Sequence, residues 1–160
     1  MNIRHATLND LDILDKVEQE CFPPNEAASR KALEGRLKAY PHHFWLLEDG
    51  DTLVSFVNGP VTEEADLNDD MFAHPEMHSD SGDWQMILGV NTIHAYRGRG
   101  CAGQLLERAI ADARAQGRKG LVLTCKDKLV HYYAKFGFVS EGISQSEHGG
   151  VVWYQMRLTF

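Results

Sequence analysis

The glycine-rich, basic segment 96–103 restricts the possible folds of this chain more than any other stretch of its sequence. It follows residues 84–93, an apolar run that predicts a buried strand, and it precedes a long helix that begins at Gly100. The apolar positions of this helix recur at i, i+3, i+4, i+7, i+8 and i+11, so they form one face that can pack on a sheet. A mixed α/β fold is therefore predicted. Those positions are Ala102, Leu105, Leu106, Ala109, Ile110 and Ala113.

The same segment has the composition of an anion-binding loop. Its glycines lack Cβ atoms, so backbone N–H groups can converge on phosphate oxygens. The N-terminus of the following helix adds partial positive charge, and Arg97 and Arg99 add two full charges. These features predict that the loop binds a phosphate-bearing ligand.

Other readings of the glycines are possible. Residues 98–103 also spell G-x-G-x-x-G, the dinucleotide-binding pattern. However, residues 94–97 separate this pattern from the preceding strand, and only about 60 residues follow, too few for the usual βαβ units. A Walker A loop would need Gly-Lys-Ser/Thr, which is absent. A purely structural glycine turn is the remaining alternative.

The rest of the pattern gives the predicted order β-α-α-β-β-β-α-β-α-β-β in one domain spanning residues 1–160. Residues 62–83 have no clean period and are predicted to form a long loop with at most a helical turn. Gly89 lies inside a predicted strand, where glycine often marks a bulge or a close backbone approach. The predicted strands are Asn2–His5, 43–48, Thr52–Asn58, 84–93, 121–125, 138–144 and 151–158. The predicted helices begin near Leu8, cover 27–40, run from Gly100 to Gly117 and cover 129–136.

Charge is unevenly distributed along the chain. The formal net charge is −7, which argues against binding to nucleic acid or to an anionic membrane. Residues 61–83 contain eight acids and no Lys or Arg, whereas residues 97–128 contain eight bases and three acids. This division is compatible with one site for an anion and another for a cation. Solvated surface of either sign is the alternative explanation.

The sequence also predicts the compartment. No stretch approaches the ~20 apolar residues of a membrane helix, and the first residues do not resemble a secretory signal. The cysteines Cys21, Cys101 and Cys125 are odd in number and are not spaced as metal ligands. We therefore expect a reduced, cytoplasmic protein without a bound metal.

Two motifs resemble a known superfamily. Residues 97–102 fit the R-x-x-G-x-G/A signature of the GNAT acetyltransferases. Residues 124–138 are similar to a Cys-x-Asp-x-Leu-Val-x-x-Tyr-x-x-Phe-Gly-Phe run of the arylalkylamine (serotonin) N-acetyltransferases. Residues 18–24 and 54–59 also fit that group, so the resemblance covers nearly the whole chain and is weakest in residues 61–83.

The resemblance implies a fold and a cofactor. The fold is a central, mostly antiparallel twisted sheet that is splayed between its fourth and fifth strands and flanked by about four helices. The co-substrate is acetyl-CoA, whose pyrophosphate would be held by the loop amides and whose pantetheine would pair with the fourth strand like an extra strand. The implied cofactor-binding residues are Val90, Asn91, Thr92, Arg97, Gly98, Arg99, Gly100, Cys101, Ala102 and Gly103.

The resemblance also assigns catalytic roles. Tyr133 matches the tyrosine that protonates the departing thiolate, a role that suits a phenol within hydrogen-bond reach of the sulfur. A backbone N–H near Val90 is the expected oxyanion donor. Cys101 is interpreted as a small loop residue and Cys125 as part of the sheet wall, because the family mechanism is direct attack.

The proton acceptor departs from the family pattern. Vertebrate arylalkylamine enzymes place two histidines on the fourth strand, and these positions correspond to Met86 and Leu88, neither of which can titrate. His78, in the acidic stretch, is the first predicted substitute, with His148, Glu26 and bulk water as others.

The predicted function is transfer of the acetyl group of acetyl-CoA to a primary amine of a small molecule, an arylalkylamine or similar amine, by direct attack in a ternary complex. The alternatives are a peptide or protein N-acetyltransferase and a non-catalytic acetyl-CoA-binding module. The expected partner is the amine substrate, with no nucleic acid and no membrane. The sequence leaves the oligomeric state open, with a homodimer as one option.

Overall fold

Nine strands and five helices make up the computed structural model, which describes all 160 residues. The strands are β1 (Asn2–His5), β2 (Phe44–Asp49), β3 (Thr52–Asn58), β4 (Val61–Thr62), β5 (Trp84–Ile87), β6 (Gly89–Thr92), β7 (Gly120–Cys125), β8 (Val139–Ile143) and β9 (Tyr154–Thr159). The helices are α1 (Leu11–Cys21), α2 (Arg30–Ala39), α3 (Asp70–Ala73), α4 (Cys101–Ala115) and α5 (Val130–Ala134). None of these helices is long and apolar enough to cross a membrane.

The strands form two sheets. The first has the order β1-β2-β3-β6 and the second the order β4-β5-β7-β9-β8. Only β5 and β7 pair in parallel, and every other pair is antiparallel. The predicted mixed α/β fold with a mostly antiparallel, splayed sheet is therefore confirmed, with one helix more than expected.

The predicted strand at residues 84–93 is divided between the two sheets. Up to Ile87 it pairs with β7, and from Gly89 it pairs with β3. Leu88 lies at the change of partner, and its N–H donates to the carbonyl of Asn58 at 2.8 Å. Beyond Leu88, β6 pairs with β3 in the first sheet, whereas β7 stays paired with β9 in the second sheet. Strands β6 and β7 therefore move apart.

Helices cover both faces of the first sheet, which explains why β2 is apolar at consecutive positions. Phe44 and Leu46 face α1 and α2, whereas Trp45 and Leu47 face α4. The indole N–H of Trp45 also donates to Asp112 of α4 at 2.8 Å. The amphipathic helix predicted after Gly100 is thus packed as expected.

Two predicted elements start three residues late, the second helix and the last strand β9, whereas the predicted loop at 62–83 keeps the single α-helical turn expected of it. The second helix begins at Arg30 instead of residue 27, because the Ser29 hydroxyl caps it by accepting from the Ala32 N–H at 3.1 Å. The predicted loop at 62–83 contains α3 and is tied to β4 by a hydrogen bond from the Ser79 N–H to the Val61 carbonyl.

The turn between β3 and β4 lies directly against β5. A Cβ atom on Gly59 would lie 1.9 Å from the carbonyl oxygen of Met86, so only glycine fits without movement of the backbone. Gly59→Ala should therefore lower the free energy of unfolding by about 1–3 kcal/mol, as measured by urea denaturation. Gly35→Ala is the control, since its Cβ would meet only the Pro75 ring at 3.2 Å and alanine favours the helix. Equal midpoints for Gly59→Ala and the wild type would contradict this close approach.

Candidate functional site

A cavity of about 120 Å³ occupies the space where β6 and β7 move apart. One wall is formed by residues 88–90, and the opposite wall is formed by residues 123–125 of β7 and by Tyr133 of α5. Side chains from the α1–α2 connection, from α3 and from the β8–β9 loop cover the remaining sides. These side chains are Phe22, Glu26, Phe72, His148 and Trp153.

The glycine-rich loop follows β6 and has unpaired backbone donors. Gly98 and Gly100 have φ angles of +78° and +74°, a left-handed conformation that glycine adopts without strain. The amides of residues 98–103 have no acceptor within the protein, and the first paired amide is that of Gln104, which donates to the Gly100 carbonyl at 3.1 Å. Six free N–H groups at a helix N-terminus form a site suited to an anion.

The two loop arginines are exposed, and each makes a contact within the protein. Arg97 donates through Nε to the Thr92 carbonyl at 3.0 Å, and the guanidinium of Arg99 lies 4.7 Å from the centre of the Tyr96 ring. Neither takes part in an ion pair within the chain. Both charges therefore remain available to an anionic ligand.

The edge of β6 that faces β7 has no strand partner. The side chains of Asn91 and Thr92 cannot serve this edge, because they are engaged elsewhere. The Asn91 amide donates to Glu18 at 2.9 Å, and the Thr92 hydroxyl lies 3.1 Å from that of Ser55. The strand therefore meets the gap with its backbone, in which the Thr92 carbonyl already accepts from Arg97 and from the Cys21 thiol.

Tyr133 places a free hydroxyl at the cavity. Its side chain is 7 % exposed, and the hydroxyl makes no hydrogen bond within the protein. Burial raises the pKa of Tyr133 well above its ordinary value, and the neighbouring Tyr132 and Cys125 raise it further. The phenol therefore stays protonated near neutral pH, where it can donate a proton but cannot act as a base.

Cys125, on the opposite wall from β6, is not an activated nucleophile. Burial raises its pKa to about 11, and Asp127 contributes in the same direction. Its sulfur lies 3.6 Å from the sulfur of Met156. The thiol is thus a neutral wall residue, as the sequence predicts.

Two polar groups meet on the covered side of the cavity. The imidazole of His148 donates through Nε2 to the carbonyl of Glu26 at 2.9 Å, which leaves Nδ1 as an acceptor. The ring stacks on Phe72 with a centroid distance of 4.6 Å. The carboxylate of Glu26 pairs with Lys126 at 2.9 Å.

A model of the acetyltransferase (GNAT) family matches residues 11–138, a range that includes the glycine-rich loop, the diverging strands and α5. This chain belongs to the GNAT acetyltransferase family. No curated protein sequence matches it significantly.

Several solved GNAT structures share the fold across almost the whole chain. The GNAT-like decarboxylase GphF, in complex with isobutyryl-CoA, has a TM-score of 0.85 at 23 % identity, with 99 % of each chain covered. The loading GNATL domain of CurA from Lyngbya majuscula has a TM-score of 0.87 at 17 % identity, covering 99 % of this chain and 96 % of that one. The ribosomal-protein-S18-alanine N-acetyltransferase from Escherichia coli has a TM-score of 0.73 at 15 % identity, covering 99 % and 92 %. At these identities the likeness concerns the fold alone.

Not all predicted site residues come together in this GNAT fold. His78 lies outside the cavity lining, where its Nδ1 accepts from the Val61 N–H at 3.0 Å and its Nε2 donates to Asp80 at 2.7 Å. Of the two positions that replace the family histidines, Leu88 lines the cavity, while Met86 is buried in a separate apolar cluster. The alternatives His148 and Glu26 both line the cavity.

His78 belongs to a polar cluster that runs from the buried His43 to the exposed Asp80, and the nitrogen and carboxylate atoms of the three residues lie within 4.8 Å of one another. The hydrogen bonds account for this cluster without a metal. Because the Val61 N–H occupies Nδ1 of His78, the proton of the neutral ring lies on Nε2 and is donated to Asp80. A cation would have to displace that proton.

Burial of His43 gives the fold a predictable pH dependence. Desolvation lowers the pKa of His43 from 6.5 to about 4, although its hydrogen bond to Gln85 opposes the shift. Between pH 6.5 and 4 the unfolded chain takes up a proton that the folded chain does not, so this contribution to stability is present above pH 6.5 and is lost towards pH 4. We expect a loss of roughly 3 kcal/mol in the free energy of unfolding across this window, measured by urea denaturation. His43→Gln should flatten the profile, and an unchanged profile in that variant would exclude His43 as the cause.

Sequence reasoning missed two buried charged side chains at the cavity, Glu18 and Arg36. A signal for Arg36 was present. It follows Leu33 by three residues and precedes Leu37, so it lies on the apolar face of α2. An arginine within an apolar stripe indicates a charge that is directed into the protein.

Proposed function

We propose that this GNAT protein transfers the acetyl group of acetyl-CoA to a primary amine of a small molecule by direct attack in a ternary complex. The observation that carries this proposal is the free, protonated hydroxyl of Tyr133 in the cavity between β6 and β7. The same gap leads along β6 to the six unpaired amides of the loop. The proposed acid for the leaving thiolate and the proposed site for the phosphates of CoA would thus lie along one path.

The loop and the strand would divide the binding of CoA. The amides of Gly98, Arg99, Gly100, Cys101, Ala102 and Gly103 would bind the pyrophosphate, with Arg97 and Arg99 adding charge-assisted hydrogen bonds. The unpaired edge of β6, from Val90 to Thr92, would pair with the amide groups of pantetheine. A backbone N–H near Val90 would then donate to the thioester oxygen as negative charge develops there.

His148 is the residue that we propose to accept the amine proton. Its Nε2–H is engaged with the Glu26 carbonyl, so the lone pair of Nδ1 is available to a proton, directly or through water. This assignment replaces His78, whose nitrogens are both engaged outside the cavity. Attack by the neutral amine on the thioester carbon forms the amide, the C–S bond breaks, and Tyr133 donates its proton to the departing sulfur.

The shape of the cavity favours a small acceptor over a polypeptide. Phe72 of α3 stacks on His148 of the β8–β9 loop, and Trp153 donates to the His148 carbonyl at 2.7 Å, so these side chains enclose the acceptor side. Phe22, Phe72 and Trp153 supply aromatic walls. These walls would suit an arylalkylamine or a similar amine.

Tyr133→Phe tests the acid. The variant should bind acetyl-CoA within about twofold of the wild type, while kcat should fall by roughly 10² or more, because general acid catalysis contributes on that scale. The rate of free-CoA release gives kcat, and calorimetric titration gives the Kd for acetyl-CoA. Tyr132→Phe is the matched control and should keep its activity. Unchanged kcat in Tyr133→Phe would remove the tyrosine from this role.

Arg97→Ala tests the anion loop. Loss of one charge-assisted contact should weaken the Kd for CoA by roughly tenfold and reduce its salt dependence. Arg108→Ala, an exposed arginine on α4 outside the loop, should bind as the wild type does. If both variants kept the wild-type Kd, the loop would not hold the pyrophosphate.

A screen of amines separates the alternatives. CoA release is measured with acetyl-CoA and a panel of arylalkylamines, polyamines, aminoglycosides and short peptides. We expect release with a small amine. Turnover with peptides alone would indicate a peptide or protein acetyltransferase. Binding of acetyl-CoA without turnover of any amine would indicate a non-catalytic module.

A further inference from the structure

Arg36 is a buried cation without an acidic partner at the wall of the cavity. It is 4 % exposed and takes part in no ion pair. Its two terminal nitrogens make long hydrogen bonds, from Nη1 to the Asn58 side-chain oxygen at 3.3 Å and from Nη2 to the Phe72 carbonyl at 3.4 Å. Its Nε has no partner at all. A buried guanidinium in this state is costly unless a ligand completes it.

Asn58 provides a second unpaired donor beside it. The residue is fully buried, and because its oxygen accepts from Arg36, its Nδ2 must point the other way, where it has no partner. That nitrogen lies 3.0 Å from the position that a Cβ of Gly89 would occupy, and Gly89 lines the cavity. Asn58 does not itself line the cavity, but because Gly89 has no side chain, no Cβ stands between its buried amide and the cavity wall.

These two unsatisfied groups are both donors, and one of them is charged. Only an acceptor can satisfy both, and an anion would also neutralise the guanidinium. A carboxylate matches the planar fork of arginine better than a spherical ion does. Its modest size also suits a cavity of about 120 Å³.

We propose that Arg36 and Asn58 form a subsite that binds a substrate carboxylate. This proposal rests on the proposed function, because it assumes that the acceptor and the acyl group meet in this cavity. The carboxylate could belong to the acceptor amine or to the acyl group. The acceptor is favoured by Glu18, a carboxylate that lines the same cavity at 4 % exposure without a cationic partner. An amino acid would present its ammonium group to Glu18 and its carboxylate to Arg36.

Matched ligands that differ only in the carboxylate test the subsite. Phenylalanine and phenethylamine, and tryptophan and tryptamine, are titrated calorimetrically into the CoA-bound protein and also assayed for turnover with acetyl-CoA. A second arm compares malonyl-CoA with acetyl-CoA in binding. We expect the carboxylate-bearing member of a pair to bind at least about tenfold more tightly in the wild type.

Two variants of the subsite make the test specific. Arg36→Met removes the charge and should abolish the preference for the carboxylate. Asn58→Asp keeps the volume and gives Arg36 an internal counter-ion, so it should fold at least as stably as the wild type while losing the preference. A merely structural role for the pair would leave ligand preference unchanged in this variant. Arg30→Met, at an exposed position of the same helix, is the control and should retain the preference.

The outcomes are distinguishable from those of the acetyl-transfer test. A preference in the amine pairs that both variants lose assigns the subsite to the acceptor, and the same result with malonyl-CoA assigns it to the acyl group. Equal binding of both members in every pair by the wild type overturns the subsite, whether or not any amine is acetylated. Carboxylate binding without turnover would leave the subsite standing and count against the proposed acetyl transfer.

Discussion

The structure depends on the change of strand partner at Leu88. The backbone leaves β7 and joins β3 within one residue, and the two sheets therefore diverge at a fixed point. A backbone that changes partner must satisfy its polar groups on the new side, and the hydrogen bond from Leu88 to Asn58 does so at once. The unpaired edge of β6, the cavity and the direction of the loop all follow from this single divergence.

Local signals were sufficient for the elements that have local causes. β3 has the predicted bounds because an Asp-Gly-Asp turn and Gly59-Pro60 delimit it, and the glycine-rich loop and α4 were predicted because loop chemistry and helical period change abruptly at Gly100. The splay was predicted only from the family resemblance, with Gly89 as a mark of a bulge, because an apolar run such as 84–93 has the same pattern whether it pairs on one side or changes sheets. Which histidine reaches the cavity was equally hidden, since His78 and His148 are positioned by contacts distant in sequence.

The two halves of the site differ in what they are made of. The part that faces the glycine-rich loop consists of backbone amide groups, which do not depend on which side chains are present, together with two exposed arginines. The part facing α1, α2 and the β8–β9 loop contains buried charges, Glu18 and Arg36, with neutral partners only. Charges held in this way are screened less than exposed ones, because burial removes most of their contact with bulk solvent and no counter-ion pairs with them. With such charges at its wall, the proposed site would discriminate by polarity as well as by shape.

The open edge of β6 has a consequence for how such a protein can change over evolutionary time. A surface built from peptide groups is preserved under almost any substitution that keeps the strand extended, so it imposes little constraint on sequence. Phe22, Phe72 and Trp153 line the cavity from segments outside β6, so substitutions there would leave the backbone groups of that edge in place. What the cavity recognises could therefore diverge while the scaffold is retained, and the fold itself is shared with solved structures at 15–23 % identity.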